Sequence, residues 1–321
     1  KDLETVVILG DRLLATFNNS FFGSYFFHFS IPKNISVKLY DLSFSSPLLF
    51  SSFKDDIHIL DSWMKLGVGG GSFKTIMLNH RLGNDRPRMQ EVCLDGHYGL
   101  VNALGLPGKG VHVFLESILQ SNLLSYDRPL GFSIGGESKE EYLEVFNYLI
   151  TQLSQQQFKQ YYFELNISCP NTSDGRQLMD QPDEVIDLIC QMRKQSDVII
   201  GVKISPDQTN ELLYDLAKKL AQLDRVFIVS GNTQYRRCGS VGLLDSDISI
   251  GGGGLSGPYL FDRTLELSNL FSDLDIPVIA VGGISTINHI NQLKQNGIFL
   301  FGMATALVRN SYCIPILNRQ L

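Results

Sequence analysis

The stretch Phe163-Glu164-Leu165-Asn166-Ile167-Ser168-Cys169-Pro170-Asn171-Thr172 carries an apolar run directly into polar, reactive side chains. Pro170 has no N–H to give to a sheet ladder, so a strand is expected to end there. A cysteine just past a strand end, flanked by Asn166 and Asn171 whose amides both donate and accept, offers a base or nucleophile inside a set of hydrogen-bonding groups. Free cysteine is also a common small core residue, and Asn and Pro are ordinary turn formers. This stretch alone supports either reading, and its surroundings decide.

Outward from it, short apolar runs alternate with helical periods. They are Pro47–Ser51 then Ile57–Leu66; Gly69–Met77, a polar loop, then Val111–Leu119; Leu130–Ile134 then Glu140–Leu153; and Tyr161–Leu165 then Glu184–Met192. The second half continues with Val198–Ile204 then Glu211–Leu220; Val226–Val229, a long Gly-rich loop, then Leu260–Leu270; Pro277–Val281 then Ile287–Leu293; and Ile298–Phe301 then a C-terminal helix. Eight strand–helix units imply a parallel sheet with right-handed crossovers, and a closed (β/α)8 TIM barrel sooner than an open doubly wound sheet. Such a barrel places chemistry on the loops after its strands and a phosphate after strands seven and eight. Strand seven is followed by Val281-Gly282-Gly283-Ile284-Ser285 and strand eight by Gly302-Met303-Ala304-Thr305-Ala306, two small-residue turns where backbone N–H groups can approach an anion. A phosphorylated cofactor is expected there.

Composition agrees with an enzyme-sized globular chain. The 321 residues are 44% hydrophobic and 19% charged with net charge -6, enough for a sizeable core, and Lys and Arg are scattered, so no nucleic-acid partner is expected. Five cysteines (Cys93, Cys169, Cys190, Cys238, Cys313) form no CxxC pair and have no histidine-rich partners, which predicts no disulfide framework, no metal site and a reducing intracellular compartment. No run reaches membrane-spanning length. The numbering starts at Lys1 without Met, so a targeting segment preceding it is left open.

Residues 1–45 read as a separate helical extension ahead of a barrel at 46–321. No charge falls between Arg12 and His28, while Leu13, Phe17, Phe21 and Tyr25 recur every fourth residue with Leu14, Phe22 and Phe26 beside them. One or two helices with a phenylalanine-rich face are expected, interrupted at Asn18-Asn19-Ser20 and at Gly23. That face suits packing on the barrel, the wall of an apolar ligand tunnel, or an interfacial membrane contact.

Other strand ends are polar too. Lys203 ends strand five, where a buried cation needs an anion or a carbonyl to face; Ser230-Gly231-Asn232-Thr233 ends strand six, Lys74-Thr75 strand two and Ser133 strand three. Singly these suit caps or solvated lysines. Lysines and amides converging on one barrel mouth around a cysteine point to an active site.

Several motifs then resemble one family. Asn166-Ile167-Ser168-Cys169-Pro170-Asn171, Lys74-Thr75-Ile76 with Gly83-Asn84-Asp85-Arg86-Pro87-Arg88, Asn102-Ala103-Leu104-Gly105-Leu106-Pro107, Gly201-Val202-Lys203, Asn232-Thr233, Gly254-Leu255-Ser256-Gly257 and Val281-Gly282-Gly283-Ile284 look like dihydroorotate dehydrogenase, in order and at family-like spacing from about Ser46 to Val308. The resemblance implies an FMN-dependent (β/α)8 barrel that oxidises dihydroorotate to orotate in pyrimidine (UMP) biosynthesis. Cys169 then resembles the base that takes a ring proton while a hydride passes to the flavin, with Lys74 near both. Asn102, Asn166, Asn171, Asn232 and Thr233, with Leu104, Gly105 and Leu106, resemble the substrate site. Ser51, Ser52, Lys74, Ser133, Asn166, Lys203, Gly254, Gly257, Gly282, Gly283, Ala304 and Thr305 resemble the cofactor site.

The chemistry suits these residue types. A cysteine base works when donors or cations bring its pKa toward ambient pH, a fixed ammonium stabilises negative charge on reduced flavin, and a ring of amides matches a planar ligand rich in carbonyl and N–H groups. The family's soluble class has a cysteine base; its membrane-associated, quinone-using class has a serine and a helical N-terminal extension. This chain combines the cysteine with an extension like that of the second class, Gly108 replaces the soluble class's usual asparagine after Leu-Pro, and Ser51-Ser52-Phe53 replaces its smaller residues near the flavin, with Lys54 beside them resembling the second class's lysine. Quinone and fumarate both stay open as electron acceptors, as do a homodimer, a cytoplasmic location and a peripheral membrane contact through residues 1–30. The competing readings are an FMN oxidoreductase acting on another dihydropyrimidine or an enone, and a non-catalytic barrel that binds a phosphorylated ligand.

Overall fold

The computed structural model describes residues 3–18, 20–168 and 178–321. Cys169 and Asn171 lie outside the described residues, as do the side chains of Phe21 and Phe22. In chain order the elements are α1 (Leu3–Asn18), α2 (Phe21–Phe26), β1 (Val37–Leu39), β2 (Leu42–Phe44), β3 (Leu48–Phe50), α3 (Ile57–Leu66), β4 (Gly70–Ser72), β5 (Met89–Leu94), β6 (His97–Asn102), α4 (Val111–Leu119), β7 (Leu130–Ile134), α5 (Lys139–Ser154) and β8 (Tyr161–Asn166). There follow α6 (Pro182–Arg193), β9 (Ile200–Ile204), α7 (Asn210–Leu220), β10 (Val226–Ser230), β11 (Gln234–Arg237), β12 (Gly252–Ser256), α8 (Phe261–Leu270), β13 (Val278–Val281), α9 (Ile287–Gln295), β14 (Leu300–Met303), α10 (Thr305–Arg309) and α11 (Cys313–Gln320).

Eight of these strands close into a parallel barrel in the order β3-β4-β7-β8-β9-β10-β13-β14, with β14 paired back to β3. Chain order equals spatial order, the (β/α)8 TIM barrel expected from the alternating pattern. The strands read as unbroken apolar runs because both faces are covered: Phe132, Phe163, Leu165, Ile200 and Val202 pack outward under the helices, while Leu49, Tyr162, Phe227, Val229, Ile279 and Leu300 fill the interior. The β1–β2 hairpin plugs the lower end, its Leu39, Leu42 and Phe44 joining that inner cluster. Helix starts are signalled locally. The Asp56 carboxylate accepts the His58 and Ile59 N–H groups at α3, and the Ser138 and Thr286 hydroxyls accept N–H groups at α5 and α9.

Two of the expected loops are strands. The polar loop after β4 folds into the β5–β6 hairpin, and the Gly-rich loop after β10 into β11–β12. The two hairpins pair through β12 and β6 into one antiparallel sheet, β11-β12-β6-β5, reached from the mouth of the barrel. Glycines allow this close pairing, since a Cβ on Gly253 would sit 2.5 Å from the Asn102 carbonyl oxygen. β4 is also shorter than the expected Gly69–Met77, stopping at Ser72.

Helix α1 ends at Asn18 and α2 begins at Phe21, with the Ser20 hydroxyl accepting the Gly23 N–H. Gly23 does not interrupt: it lies inside α2, where a Cβ would come within 2.3 Å of the Phe17 carbonyl oxygen, so it serves close packing of the two helices. Among the described residues no helix is long and apolar enough to cross a membrane.

Candidate active site at the barrel mouth

A cavity of about 480 Å³ opens at the C-terminal ends of the barrel strands. Lys74, Asn102, Leu104, Gly105, Leu106, Asn166, Asn232 and Thr233 line it, as do Ser51, Ser52, Lys203, Gly257, Gly282, Gly283, Ala304 and Thr305. Residues more than two hundred positions apart meet there because the ends of the barrel strands and the antiparallel sheet at the mouth converge on one opening. Ser133 and Gly254 are not on its wall. Ser133 is buried one step below, sharing a hydrogen bond with Thr75 at 3.2 Å, and Gly254 lies in β12, where its carbonyl accepts from Asn102 Nδ2 at 3.4 Å.

The amides are held by a continuous hydrogen-bond chain. Asn166 Nδ2 donates to Thr75 Oγ1 at 2.7 Å, Asn166 Oδ1 accepts from the Ser168 hydroxyl at 3.2 Å, and Ser168 Oγ in turn accepts from Asn232 Nδ2 at 3.0 Å. Asn232 Oδ1 accepts the Thr233 N–H at 2.8 Å, and the buried Tyr142 hydroxyl fixes the Asn166 carbonyl at 2.8 Å. Each side-chain amide therefore presents a defined orientation, because its donor and acceptor ends are already distinguished.

Three lysines line this cavity, Lys54, Lys74 and Lys203. Lys203, the register partner of Asn166 across β8 and β9, is buried and donates to Ser52 Oγ at 2.7 Å. Burial depresses the pKa of Lys74 below the usual lysine range, opposed by the negative charge of Asp55. Lys74 Nζ has no hydrogen-bond acceptor among the described residues, and Ser51 Oγ is buried on the same wall without a partner. An unpartnered ammonium and an unpartnered hydroxyl at one cavity are groups that await a polar ligand. Beneath them a barrel-interior relay runs from the Tyr162 hydroxyl (3.0 Å) through Ser72 Oγ to Glu164 Oε2 (2.8 Å), and burial raises the Tyr162 pKa.

Some lining residues carry no signal in the motifs. α1 lies along the mouth and places Glu4, Val7, Ile8 and Asp11 on the cavity wall. Glu4 is gripped by Arg88 in a two-pronged pair, Nε to Oε2 at 2.8 Å and Nη2 to Oε1 at 2.9 Å, with Arg86 Nε at 3.1 Å; Lys54 pairs with Asp11. The Arg88 hydrogen bond holds the Glu4 carboxyl below the usual carboxylate range. The spacing of Glu4 and Asp11, two turns apart on one face, is the signal that could have marked this side of α1 as inward. The opposite face leaves Val6, Leu9, Leu13 and Phe17 exposed, continued by Tyr25 and Phe26 of α2.

A family model described as dihydroorotate dehydrogenase matches residues 34–320. The chain is 31% identical over 285 residues to the catalytic subunit of dihydroorotate dehydrogenase B (NAD(+)) from Pyrococcus furiosus, covering 88% of this chain and 90% of that one. It is 29% identical over 268 residues to the dihydroorotate dehydrogenase (quinone) of Legionella pneumophila, covering 78% and 76%. The fold is shared with the crystal structure of DHODH from Eimeria tenella in complex with ferulenol, at TM-score 0.78 and 20% identity over 97% of this chain and 89% of that one. With the profile spanning most of its length and the barrel shared throughout, the chain belongs to the dihydroorotate dehydrogenase family.

Proposed function

We propose that this protein oxidises dihydroorotate to orotate with bound FMN. The observation that carries the reading is the convergence of Asn102, Asn166, Asn232 and Lys74 on one cavity at the mouth of a family-typical barrel. FMN would supply the hydride acceptor. Ser51, Ser52, Lys74 and Lys203 would hold its ring system, and the Gly282–Gly283 and Ala304–Thr305 turns its phosphate. The fit is supported by the unpartnered Ser51 hydroxyl and Lys74 ammonium, and by a second ammonium at Lys203 suited to a developing negative charge. The pre-oriented amides would fix the pyrimidine ring and its carboxylate, assisted by Asn171. Cys169, three residues beyond the end of β8 in sequence, would take the ring proton. Dihydroorotate loses one proton and one hydride, so the two acceptors account for both hydrogens and the electron pair.

The protein should release FMN on denaturation, and dihydroorotate should bleach the bound flavin. Cys169→Ala should slow that bleaching by about 10²-fold or more, the usual scale for losing a positioned base. Rapid-mixing spectra near neutral pH test this; an undiminished rate removes Cys169 from the reaction, and FAD or no flavin removes the cofactor assignment. Reduction by an enone's saturated product in place of dihydroorotate would favour the enone reading.

The electron acceptor we assign is a hydrophobic quinone. α1 supplies apolar Val7 and Ile8 to the cavity wall while its exposed stripe, Val6, Leu9, Leu13 and Phe17, suits a peripheral membrane contact through residues 1–30. Steady-state turnover with a quinone, fumarate and NAD offered separately discriminates the acceptors. Deleting residues 1–30 should spare flavin reduction and abolish quinone turnover; equal loss of both half-reactions with a lower melting temperature would make the helices structural and return the acceptor to fumarate.

A further inference from the structure

The wall built by the loops after β13 and β14 carries an arginine that no motif singled out. Arg309 lies four residues beyond Thr305 on α10, one turn along the same helix face, and lines the cavity with Thr305, Ala306 and Val308. Its guanidinium stacks over the ring of Tyr98 at 5.3 Å. Tyr98 belongs to the mouth sheet, and it is pressed onto the same wall: a Cβ on Gly257 would meet the Gly99 Cα at 2.9 Å and the Tyr98 carbonyl oxygen at 3.2 Å. Ser256 closes the group, its hydroxyl accepting from Thr305 Oγ1 at 3.0 Å.

The other cationic side chains on the cavity are occupied or distant in sequence from this wall. Lys54 is paired with Asp11, Lys203 donates to Ser52, and Lys74 follows β4. Arg309 makes neither an ion pair nor a hydrogen bond among the described residues, and its planar face is held against Tyr98, so its N–H edge remains free. The neighbouring turns offer a phosphate dianion only neutral donors, backbone N–H groups and the Ser285 and Thr305 hydroxyls. A guanidinium pre-oriented by stacking loses little rotational freedom when it pairs with an anion, and its fork matches phosphate oxygens.

We propose that Arg309, steered by Tyr98, is a clamp for the terminal phosphate of FMN and sets the preference for the phosphorylated flavin over riboflavin. This rests on the FMN reading above and adds to it a side-chain charge contributed by α10 and oriented by the mouth sheet. Arg309 is a binding and positioning residue; it takes no part in proton or hydride transfer.

The test uses flavin-stripped full-length protein, titrated with FMN and separately with riboflavin, following quenching of flavin fluorescence. Arg309→Gln should weaken FMN binding about 10-fold, the scale of one charge-assisted hydrogen bond, and leave riboflavin within about twofold of the parent. Raising ionic strength should weaken FMN binding to the parent more than to Arg309→Gln, because the lost interaction is a partly screened ion pair. Tyr98→Leu should give an intermediate loss for FMN alone, and Arg309→Lys should recover part of the affinity. Unchanged FMN affinity in Arg309→Gln, or equal losses for both flavins, would overturn the clamp. If the parent itself binds FMN no better than riboflavin, the FMN reading fails first, and the clamp with it.

Discussion

Neutralising Glu4 tests how α1 is held across the mouth. In Glu4→Gln the two-pronged pair to Arg88 and the third contact to Arg86 lose their charge, while shape is nearly conserved. A hydrogen bond to a charged group contributes about 1.5–3 kcal/mol, and breaking a fully buried pair costs about 3–5 kcal/mol. Here the side chains are 15% and 11% exposed, and Arg88 Nη1 keeps the carbonyls of Leu82 (2.7 Å) and Asn84 (2.8 Å), so its charge is not stranded. We therefore take about 2 kcal/mol for the loss, which corresponds to roughly a 30-fold rise in the opening of the first half of α1. The second half stays pinned by Lys54–Asp11, by Asn18 Nδ2 on Asp61 Oδ2 (2.8 Å) and by Lys65 on Asn18 Oδ1 (2.9 Å). Hydrogen exchange read by mass spectrometry should show that increase in residues 3–10, little change in 11–18, and a melting temperature within about 1–2 °C of the parent, since local opening is not global unfolding. A drop of several degrees with unchanged local exchange would show that α1 belongs to the cooperative core and would refute the clasp.

Further outcomes follow from the site. Thr75→Val removes the acceptor for Asn166 Nδ2 and should cost about 1–3 kcal/mol for the buried amide left unpaired while raising the KM for dihydroorotate; unchanged denaturant midpoint and KM would show that Asn166 has another anchor. Gly254→Ala would place a Cβ 1.9 Å from Thr233 Oγ1, so Thr233 and Asn232 must shift; substrate affinity should fall about 10-fold or more with FMN still bound, and an unaltered KM would contradict the geometry. Burial lowers the pKa of His289, which stacks on Phe261 at 3.9 Å and accepts the Ser285 N–H through Nδ1 at 3.3 Å. Its contribution to stability is complete above the ordinary value of 6.5 and declines as pH falls toward the depressed folded value, because the unfolded chain takes the proton first. The parent's melting temperature should therefore drop more between pH 7.5 and 5.5 than that of His289→Gln; equal drops would exclude the linkage.

The barrel was legible because its strands are covered on both faces, which leaves runs such as Leu130–Ile134 and Ile200–Ile204 almost free of charge. The mouth sheet was not. β5 and β6 mix the polar Gln90, Glu91, His97 and Asn102 with apolar residues like a solvated loop, and β12 begins Gly252-Gly253-Gly254, which reads as flexible until a partner strand is known to need the room. Asp95-Gly96 between two six-residue runs was the available hairpin signal, and both residues have positive φ, 49° and 77°. Asn102, Asn166, Asn232, Lys74 and Lys203 were readable since each sits beside a strand end, whereas Ser133 was misplaced one step because a strand's inward face does not tell how far down the barrel a residue lies. The inward side of α1 was hidden by Phe17 and the aromatic run of α2, which drew attention to the outer face.

The sheet that joins the second and sixth barrel loops has a mechanical meaning. Asn102 ends β6, Thr233 immediately precedes β11, and β12 ties the two strands together, so amides from loops over a hundred residues apart keep a fixed spacing like the jaws of a caliper. Asn166 and Lys203 belong to a different piece, the closed barrel, as register partners on β8 and β9. A change at the Asp95–Gly96 tip is therefore carried along one small sheet to both jaws at once, and through Tyr98 to Arg309 as well, from outside the pocket.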